Sequence, residues 1–524
     1  MYLADRSLPR TAQRVVIFCS IVCSIVCSIL CSRTLRAQDL PWSERMANSA
    51  MQRWPDGRGA PPDAAWTLDI KMSMLLQGVE AVWHNTANDD EFKYIKDSVD
   101  QFISADGSSI RSYDVQKYSV DDILFGRQLL LLYAATHDSR YQRAATLLRH
   151  QLALQPRTPE GGFWHGANYP QQMGLDNLYM LEPFYAEYAH TFHEPADFAD
   201  ITKQFVLTEA HLRDPKTGLL YPMWDEARDQ PWADKTTGDS PVLWSRAMGW
   251  CMMALVDTIP YYAPSDPGRA KLLAILNRLA AAIVHYQDPA SGLWYQVTDR
   301  PKAPGNYLES SAACMFAYAL AKAVRKGYLP AHYFDNASRA YQGILKQFIN
   351  VGADGSLNLT GAVSGVGLTP DRTRENSYAY YVSTPVISND PKTVGAFIMA
   401  SVEIETAAHS AQRTVHGKPA QSPGTGTDAA FAFELAHGEI EKEPNNETCS
   451  LLYGNRTFRF LCGGANHQPQ RFPLCSRHPV DAGQPDSHVA SLRLRQRQAL
   501  RRRHAFPRSF RAHEKWRRRS ARAL

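Results

Sequence analysis

The chain has 524 residues, 44% of them hydrophobic and 21% charged, an ordinary globular make-up with room for one large domain or a few smaller ones. Its formal net charge of +5 hides a division: the last 34 residues carry 12 Arg and one Lys against one Glu, about +12, which leaves about −7 (5 minus 12) on everything before Ser491. A mildly acidic body without zinc-finger spacing or an aromatic–basic RNA motif excludes nucleic acid as the expected partner, and a basic tail of this kind is more often solvated than engaged.

At the N-terminus, Arg6, Arg10 and Arg14 precede the apolar run VVIFCSIVCSIVCSIL, and CSRTLRAQDL follows it. This is the order of a secretory signal peptide with cleavage after Ala37, and the run is short for a membrane span. Residues 1–37 are therefore set apart, and the mature chain is expected to be exported, to the periplasm or outside the cell, without stable membrane association. Four of the nine cysteines fall in this leader. Cys251 and Cys314 sit in apolar helical contexts and read as buried free thiols. Cys449, Cys462 and Cys475 lack the CxxC-type spacing of a zinc site, so no metal is assigned.

From about Leu40 to His409 two kinds of punctuation alternate. Six turns contain glycine, at Asp56-Gly57, Asp106-Gly107, Glu160-Gly161, Thr217-Gly218, Ser291-Gly292 and Asp354-Gly355. Between them fall polar turns such as NTANDDEFKY, THDSRYQRA and APSDPGRAK. The intervening segments have helical periodicity; Leu272, Leu276, Leu279 and Ile283, for example, recur at steps of four, three and four. About a dozen helices in pairs can stack into an open solenoid or close into a ring. The irregular spacing favours closure into an all-α (α/α)6 barrel of six hairpins over residues 38–410, with the glycine loops ringing a pocket at one end. Residues 411–524 read as a linker, GKPAQSPGTGTD, followed by a disordered basic tail.

Five stretches near the turns combine polar and aromatic groups. YSVDDILFGRQLLLLY places Asp121 and Asp122 at a helix start. GGFWHGANYPQQMGLDNLYM carries Trp164, His165 and Asp176. YPMWDEARDQPWAD carries Trp224, Asp225 and Glu226. SPVLWSRAMGWCMMALVD carries Trp244, Arg246 and Trp250. GNYLESSAACMFAYAL carries Asn306, Tyr307 and Glu309. Each has an ordinary structural reading. Asp121 or Asp122 serves as a helix cap, the tryptophans as core, Arg246 as the partner of a structural carboxylate, His165 as a structural histidine, and Glu309 as an acceptor for loop backbone. Asp176, beside the apolar stripe Leu175, Leu178, Tyr179 and Leu181, is either a hydrogen-bonded structural group or helix cap, or a carboxyl held protonated for acid catalysis. Tryptophans at turns on one end suit a sugar platform, and an arginine there suits a substrate carboxylate.

Four longer blocks carry a resemblance: YPQQMGLDNLYMLEPFYAEYA, WSRAMGWCMMALVDTIPYY, GNYLESSAACMFAYALAKAVRKGYL and SYAYYVSTPVISNDPKTVGAF. Over roughly Trp42 to Ala407 the chain resembles the unsaturated rhamnogalacturonyl hydrolases of glycoside hydrolase family 105, relatives of the family 88 unsaturated glucuronyl hydrolases. The resemblance implies the (α/α)6 barrel and a monomeric enzyme without a cofactor. It implies as substrate an oligosaccharide ending in a 4,5-unsaturated uronic acid, a galacturonyl linked to rhamnose, left by a polysaccharide lyase. The alternatives are another unsaturated uronyl oligosaccharide, or a non-catalytic sugar-binding barrel. The reaction implied is hydration of a vinyl ether, so the two-carboxylate glycosidase scheme does not apply. The family's catalytic aspartate falls on Asp176 and its second aspartate on Asp121, with Asp122 the neighbouring alternative. The second carboxylate is expected to raise the pKa of the first. Trp244, Arg246 and Trp250 match the substrate-binding motif, and His165 and Asp122 join them as binding residues.

Three positions depart from the family pattern: Gly166 stands where Lys is usual, Gly174 where Trp is usual, and Pro222 where His is usual. Together they are expected to widen the pocket and make it less cationic, so that longer or decorated oligosaccharides are preferred. Restoring Lys, Trp and His is expected to return the preference to the disaccharide.

Overall fold

The computed structural model describes residues 40–366, 376–415, 440–442, 448–453 and 456–461. The leader, the linker and the Arg-rich tail lie outside the described residues. The chain divides into two units, residues 1–437 and 438–524.

The first unit is a succession of outer and inner helices. The outer helices are α1 (Trp42–Arg53), α3 (Asp89–Asp100), α5 (Ser139–Leu154), α7 (Asp197–Leu212), α9 (Pro267–His285) and α11 (Tyr333–Gln347). They alternate with the inner helices α2 (Ile70–Thr86), α4 (Gly126–Thr136), α6 (Asn177–Thr191), α8 (Ser245–Thr258), α10 (Ser310–Arg325) and α13 (Pro391–Val415); a short α12 (Tyr378–Ser383) precedes the last.

Side-chain pattern sorts the two sets. In α8 every residue is buried, and in α10 all but three are, so these helices can only sit inside. In α9 burial returns at Leu272, Ile275, Leu276, Leu279, Ala280 and Ile283, one face of an amphipathic helix. Each inner helix packs on the next, α2 on α4 and so on to α13, and α13 packs back on α2, which closes the ring. The closing seam is glycine on glycine. A Cβ on Gly78 of α2 would lie 3.0 Å from the Gly395 Cα, and one on Gly395 of α13 would lie 2.1 Å from the Met74 carbonyl oxygen. Only bare backbone allows that approach. The six-hairpin barrel expected from the sequence is the fold observed.

All six turn glycines, Gly57, Gly107, Gly161, Gly218, Gly292 and Gly355, have positive φ, between 71° and 98°. They end the outer helices and begin the passages that lead to the inner-helix N-termini. At the opposite end, short links run from inner to outer helix. Asn88, Asp138 and Asp266 there cap α3, α5 and α9 by accepting from the backbone N–H two residues on. Cys251 and Cys314 are buried free thiols as expected.

Small antiparallel pairs brace the glycine end. They are β1 (Gln172–Gly174) with β2 (Met223–Asp225), β3 (Ile349–Val351) with β4 (Leu357–Leu359), and β5 (Ala362–Val363) with β6 (Val386–Ile387). In the second unit, β7 (Ile440–Lys442), β8 (Thr448–Tyr453) and β9 (Arg456–Leu461) form an antiparallel three-stranded sheet in chain order. The sequence reading expects no regular element there; the described residues include these three strands.

Among the described residues no helix is long and apolar enough to cross a membrane, and no cluster of His, Cys, Asp and Glu is arranged to hold a metal ion.

Candidate active site

The inner helices all begin at the glycine end, and the starts of four of them help to line a cavity of about 280 Å³. Leu68, Asp69, Ile70 and Lys71 line it from the start of α2. Ser119, Asp121 and Asp122 line it from the approach to α4. Asp176 and Met180 come from α6, Trp244, Arg246 and Trp250 from α8, and Lys392 from α13; residues 364–366 complete the wall. Ligand cavities run to roughly 300–1,000 Å³. This one is at the small end and suits one terminal sugar better than the middle of a long chain.

Asp121 and Asp122 sit before a 3-10 turn, Ile123–Phe125, that leads directly into α4, and at its start Asp122 makes no side-chain capping bond. The capping role is therefore empty. Burial pushes the Asp121 carboxyl above the ordinary carboxylate range; the His165 ring pulls it down, and the Asp176 carboxylate pushes it further up. Asp122 is raised to about 7, first by burial and then by Asp121. Of the two, Asp121 is the one that feels Asp176. The sequence reading places the raised carboxyl on Asp176; the carboxyls found raised are those of Asp121 and Asp122.

Asp176 is held by the β1–β2 pair. Gly174 lies opposite Met223, and the Leu175 N–H donates to the Pro222 carbonyl at 2.8 Å. Asp176 immediately precedes α6 and makes no capping bond there, so its structural reading as a cap also fails. A Cβ on Gly174 would come within 2.3 Å of Asp176 Oδ1, so a side chain at 174 would displace that carboxylate. Substituting Trp there would move the proposed acid, not merely refill a wall. Gly166, Gly174 and Pro222 do not line the cavity, and its wall includes Lys71 and Lys392. The cavity thus keeps cations of its own whatever the three departures remove. Gly174 and Pro222 belong to the β1–β2 brace and its edge, whereas Gly166 lies against Lys117, Tyr118 and Tyr169.

The two platform tryptophans are each 3% exposed. Trp244 donates from Nε1 to Gln296 Oε1 at 3.2 Å. Trp250 stacks on Tyr179 with ring centroids 5.2 Å apart.

Arg246 lines the cavity but is largely committed to the protein. Its Nε donates to Ser311 Oγ at 2.6 Å, Nη1 to the Ser364 carbonyl at 2.9 Å, and Nη2 to Glu309 Oε1 at 3.4 Å and to the Val363 carbonyl. One of five N–H groups is left over. Glu309 in turn accepts from Ser311 Oγ and from the N–H groups of Ala312 and Val363. This is the backbone-satisfying role the sequence suggests for it. Arg246 and Glu309 together anchor the stretch that carries wall residues 364–366.

His165 is not a wall residue. Its Nδ1 lies 2.6 Å from Asn177 Oδ1, at the first residue of α6, so it reaches the site through the neighbour of Asp176. Trp224, Asp225, Asn306 and Tyr307 also stand outside the cavity. Trp224 stacks on His211 and donates to the Thr237 carbonyl at 2.9 Å. Asp225 accepts from the N–H groups of Asp229 and Gln230, and Asn306 bonds the backbone of Val297 on both sides. Sequence reasoning missed Asp69, Lys71 and Lys392. The signal for Lys392 was the NDPKTVGAF segment, in which a lysine follows Asp390 and Pro391 at a helix start.

Four aspartates, two tryptophans and cationic side chains at one end of a ring of helix pairs define a carbohydrate-active barrel. The model of Glycosyl Hydrolase Family 88 matches residues 42–408, and the chain belongs to that family, on the side that includes family 105. It is a glycoside hydrolase. A family 105 glycoside hydrolase structure from C. acetobutylicum is 40% identical, covers 70% of this chain and 100% of its own, and superposes with a TM-score of 0.67. A protein of Agrobacterium fabrum is 38% identical over 227 residues, 42% of this chain and 96% of its own. The unsaturated rhamnogalacturonyl hydrolase YesR of Bacillus subtilis is 29% identical over 264 residues, 49% of this chain and 71% of its own.

Proposed function

We propose that the chain removes a 4,5-unsaturated uronic acid from the non-reducing end of lyase-generated oligosaccharides, and that the natural linkage is unsaturated galacturonyl to rhamnose. The observation that carries the reading is the joint placement of Asp121, Asp122 and Asp176 on one small cavity with Trp244 and Trp250. The name of the B. subtilis relative supports the linkage.

In this mechanism the Asp121–Asp176 pair holds a proton, because two carboxylates facing one partly dry cavity do not both ionise cheaply. Asp176 delivers it to C4 of the double bond. The carboxylate left behind takes a proton from a water whose oxygen adds to C5. The resulting hemiketal opens and expels the neighbouring sugar, with one water consumed and the aspartate reset. Trp244 and Trp250 hold the flat unsaturated ring, and Arg246 with Glu309 keeps the wall over it in place. The alternative of a non-catalytic sugar-binding barrel loses ground, because the three departures from the family pattern leave the aspartates on the cavity.

A panel of lyase-generated oligosaccharides tests the reading. Loss of near-ultraviolet absorbance marks hydration of the conjugated double bond, and the unsaturated galacturonyl–rhamnose disaccharide should be among the substrates consumed. Cleavage of saturated uronides in place of unsaturated ones would overturn the hydration mechanism.

A further inference from the structure

A uronic acid brings its own carboxylate into the cavity, and something there must meet it. Arg246 is poorly placed for this, since four of its five N–H groups are taken by Ser311, Glu309 and the carbonyls of Val363 and Ser364. Lys71 is bound to the cap of its own helix, Asp69, at 3.0 Å, and its side chain is 42% exposed, so water already satisfies and screens it.

Lys392 differs from both. It lines the cavity, its side chain is only 10% exposed, and its Nζ donates to a single protein partner, Asp390 Oδ1, at 2.7 Å. Two of its three N–H groups therefore have no acceptor among the described residues. The charged groups around it are few: Asp390 holds it, Arg246 repels it, and Asp69 attracts it more weakly. Asp390 is itself 1% exposed and also accepts from Thr393 Oγ1 at 2.9 Å, so the lysine is fixed in place. Lys392 also exerts a downward pull on the Asp121 carboxyl across the cavity. A buried ammonium with unfilled donors is costly unless something anionic completes it.

We propose that Lys392, positioned by Asp390, is the residue that reads the carboxylate of the terminal uronic acid, while Arg246 positions the wall. The proposal rests on the function given above and names a specificity determinant for it. Burial and the neighbouring Arg246 both push the Lys392 ammonium toward losing its proton, and an arriving carboxylate would oppose that.

The test compares the unsaturated galacturonyl–rhamnose disaccharide as free acid and as methyl ester. Wild type should favour the free acid. In Lys392→Met the kcat/KM for the free acid should fall by about 10- to 100-fold, the scale of one charge-assisted hydrogen bond, and the ester should lose far less, so that the acid-to-ester ratio moves toward one. Lys392→Met leaves Asp390 buried without its partner, so the double variant Lys392→Met/Asp390→Asn, which restores charge balance, should show the same fall in the ratio. Equal losses for acid and ester in both variants, or a wild type indifferent to the ester, would overturn the proposal while leaving the hydrolase reading intact. If wild type turns over neither compound, the hydrolase reading fails on its own. The tryptophan fluorescence change on adding free galacturonate or its methyl ester then decides Lys392: acid-selective binding lost in the double variant supports it, and unselective binding refutes it.

Discussion

The aspartates at the cavity and the aspartate deeper in the ring meet opposite fates. Asp121, Asp122 and Asp176 face the cavity, with one carboxyl raised by burial and another raised to about 7. Asp257, deeper in the ring on α8, is more buried still, yet it is held below the ordinary range. Burial works upward on it, but Lys322 at 2.7 Å and Arg127 at 3.0 Å outweigh that. Tyr318 adds a hydrogen bond at 2.7 Å. The two regions touch through one side chain: Tyr179 stacks on Trp250 in the cavity wall and bonds Asp257 Oδ2 at 3.4 Å. Burial alone therefore does not make an aspartate reactive. Where cations outweigh burial the carboxylate locks helices together; where burial outweighs the cations, as at Asp121 and Asp122, the carboxyl keeps its proton to higher pH and chemistry becomes possible.

The contrast can be broken from either side. Asp176→Asn should cut turnover by about 10²- to 10⁴-fold, the range of general acid–base catalysis, with thermal unfolding nearly unchanged. Substantial residual turnover would remove Asp176 from the role of acid. Asp257→Ala should do the reverse. It leaves Lys322 without its carboxylate and Arg127 with Glu187 alone, and denaturant unfolding should show a loss of about 3–5 kcal/mol. A loss below about 1 kcal/mol would mean that the deep cluster contributes little to holding the ring.

The third effect is smaller and depends on pH. Asp122 titrates near 7 in the folded chain and at its ordinary, lower value when unfolded, so the folded state binds the extra proton between the two values. Its contribution to stability is full below the unfolded pKa and is lost as pH rises toward about 7. Asp122→Asn should therefore leave stability near pH 3 unchanged and raise it above pH 7, by on the order of 2–4 kcal/mol. Unfolding curves of both proteins at pH 3, 6 and 8 check this; a difference independent of pH would show that Asp122 does not titrate in this way.

Local chemistry was the legible part. Six glycines chosen for turns all proved to occupy positive φ, because Gly after a polar residue between helical periods has few other uses. The stripe Leu272, Leu276, Leu279 and Ile283 is fully buried. Asp121, Asp122, Asp176, Trp244, Arg246 and Trp250 do share one cavity. What the chain did not announce depends on closure. Lys71 and Lys392 line one wall only because α2 packs on α13, more than 300 residues away along the chain. The partners of Arg246 come from residues 309, 311, 363 and 364, which no local pattern ties to it. The cost of a side chain at 174 was equally invisible, since it is set by where the Asp176 carboxylate rests.

One feature of the ring reaches further than any side chain. Six inner helices begin at the same end, and each helix N-terminus carries the equivalent of roughly half a positive charge. Four of those starts, of α2, α6, α8 and α13, lie at a cavity that also gathers several carboxylates and, on the reading above, an acidic sugar. The partial charges belong to the backbone, so no single substitution removes them, and they do not titrate. The direction in which the hairpins are threaded thus gives an otherwise acidic body a permanent inward-pointing field that draws anions to one place. Side chains at the rim then only have to choose among the anions that arrive.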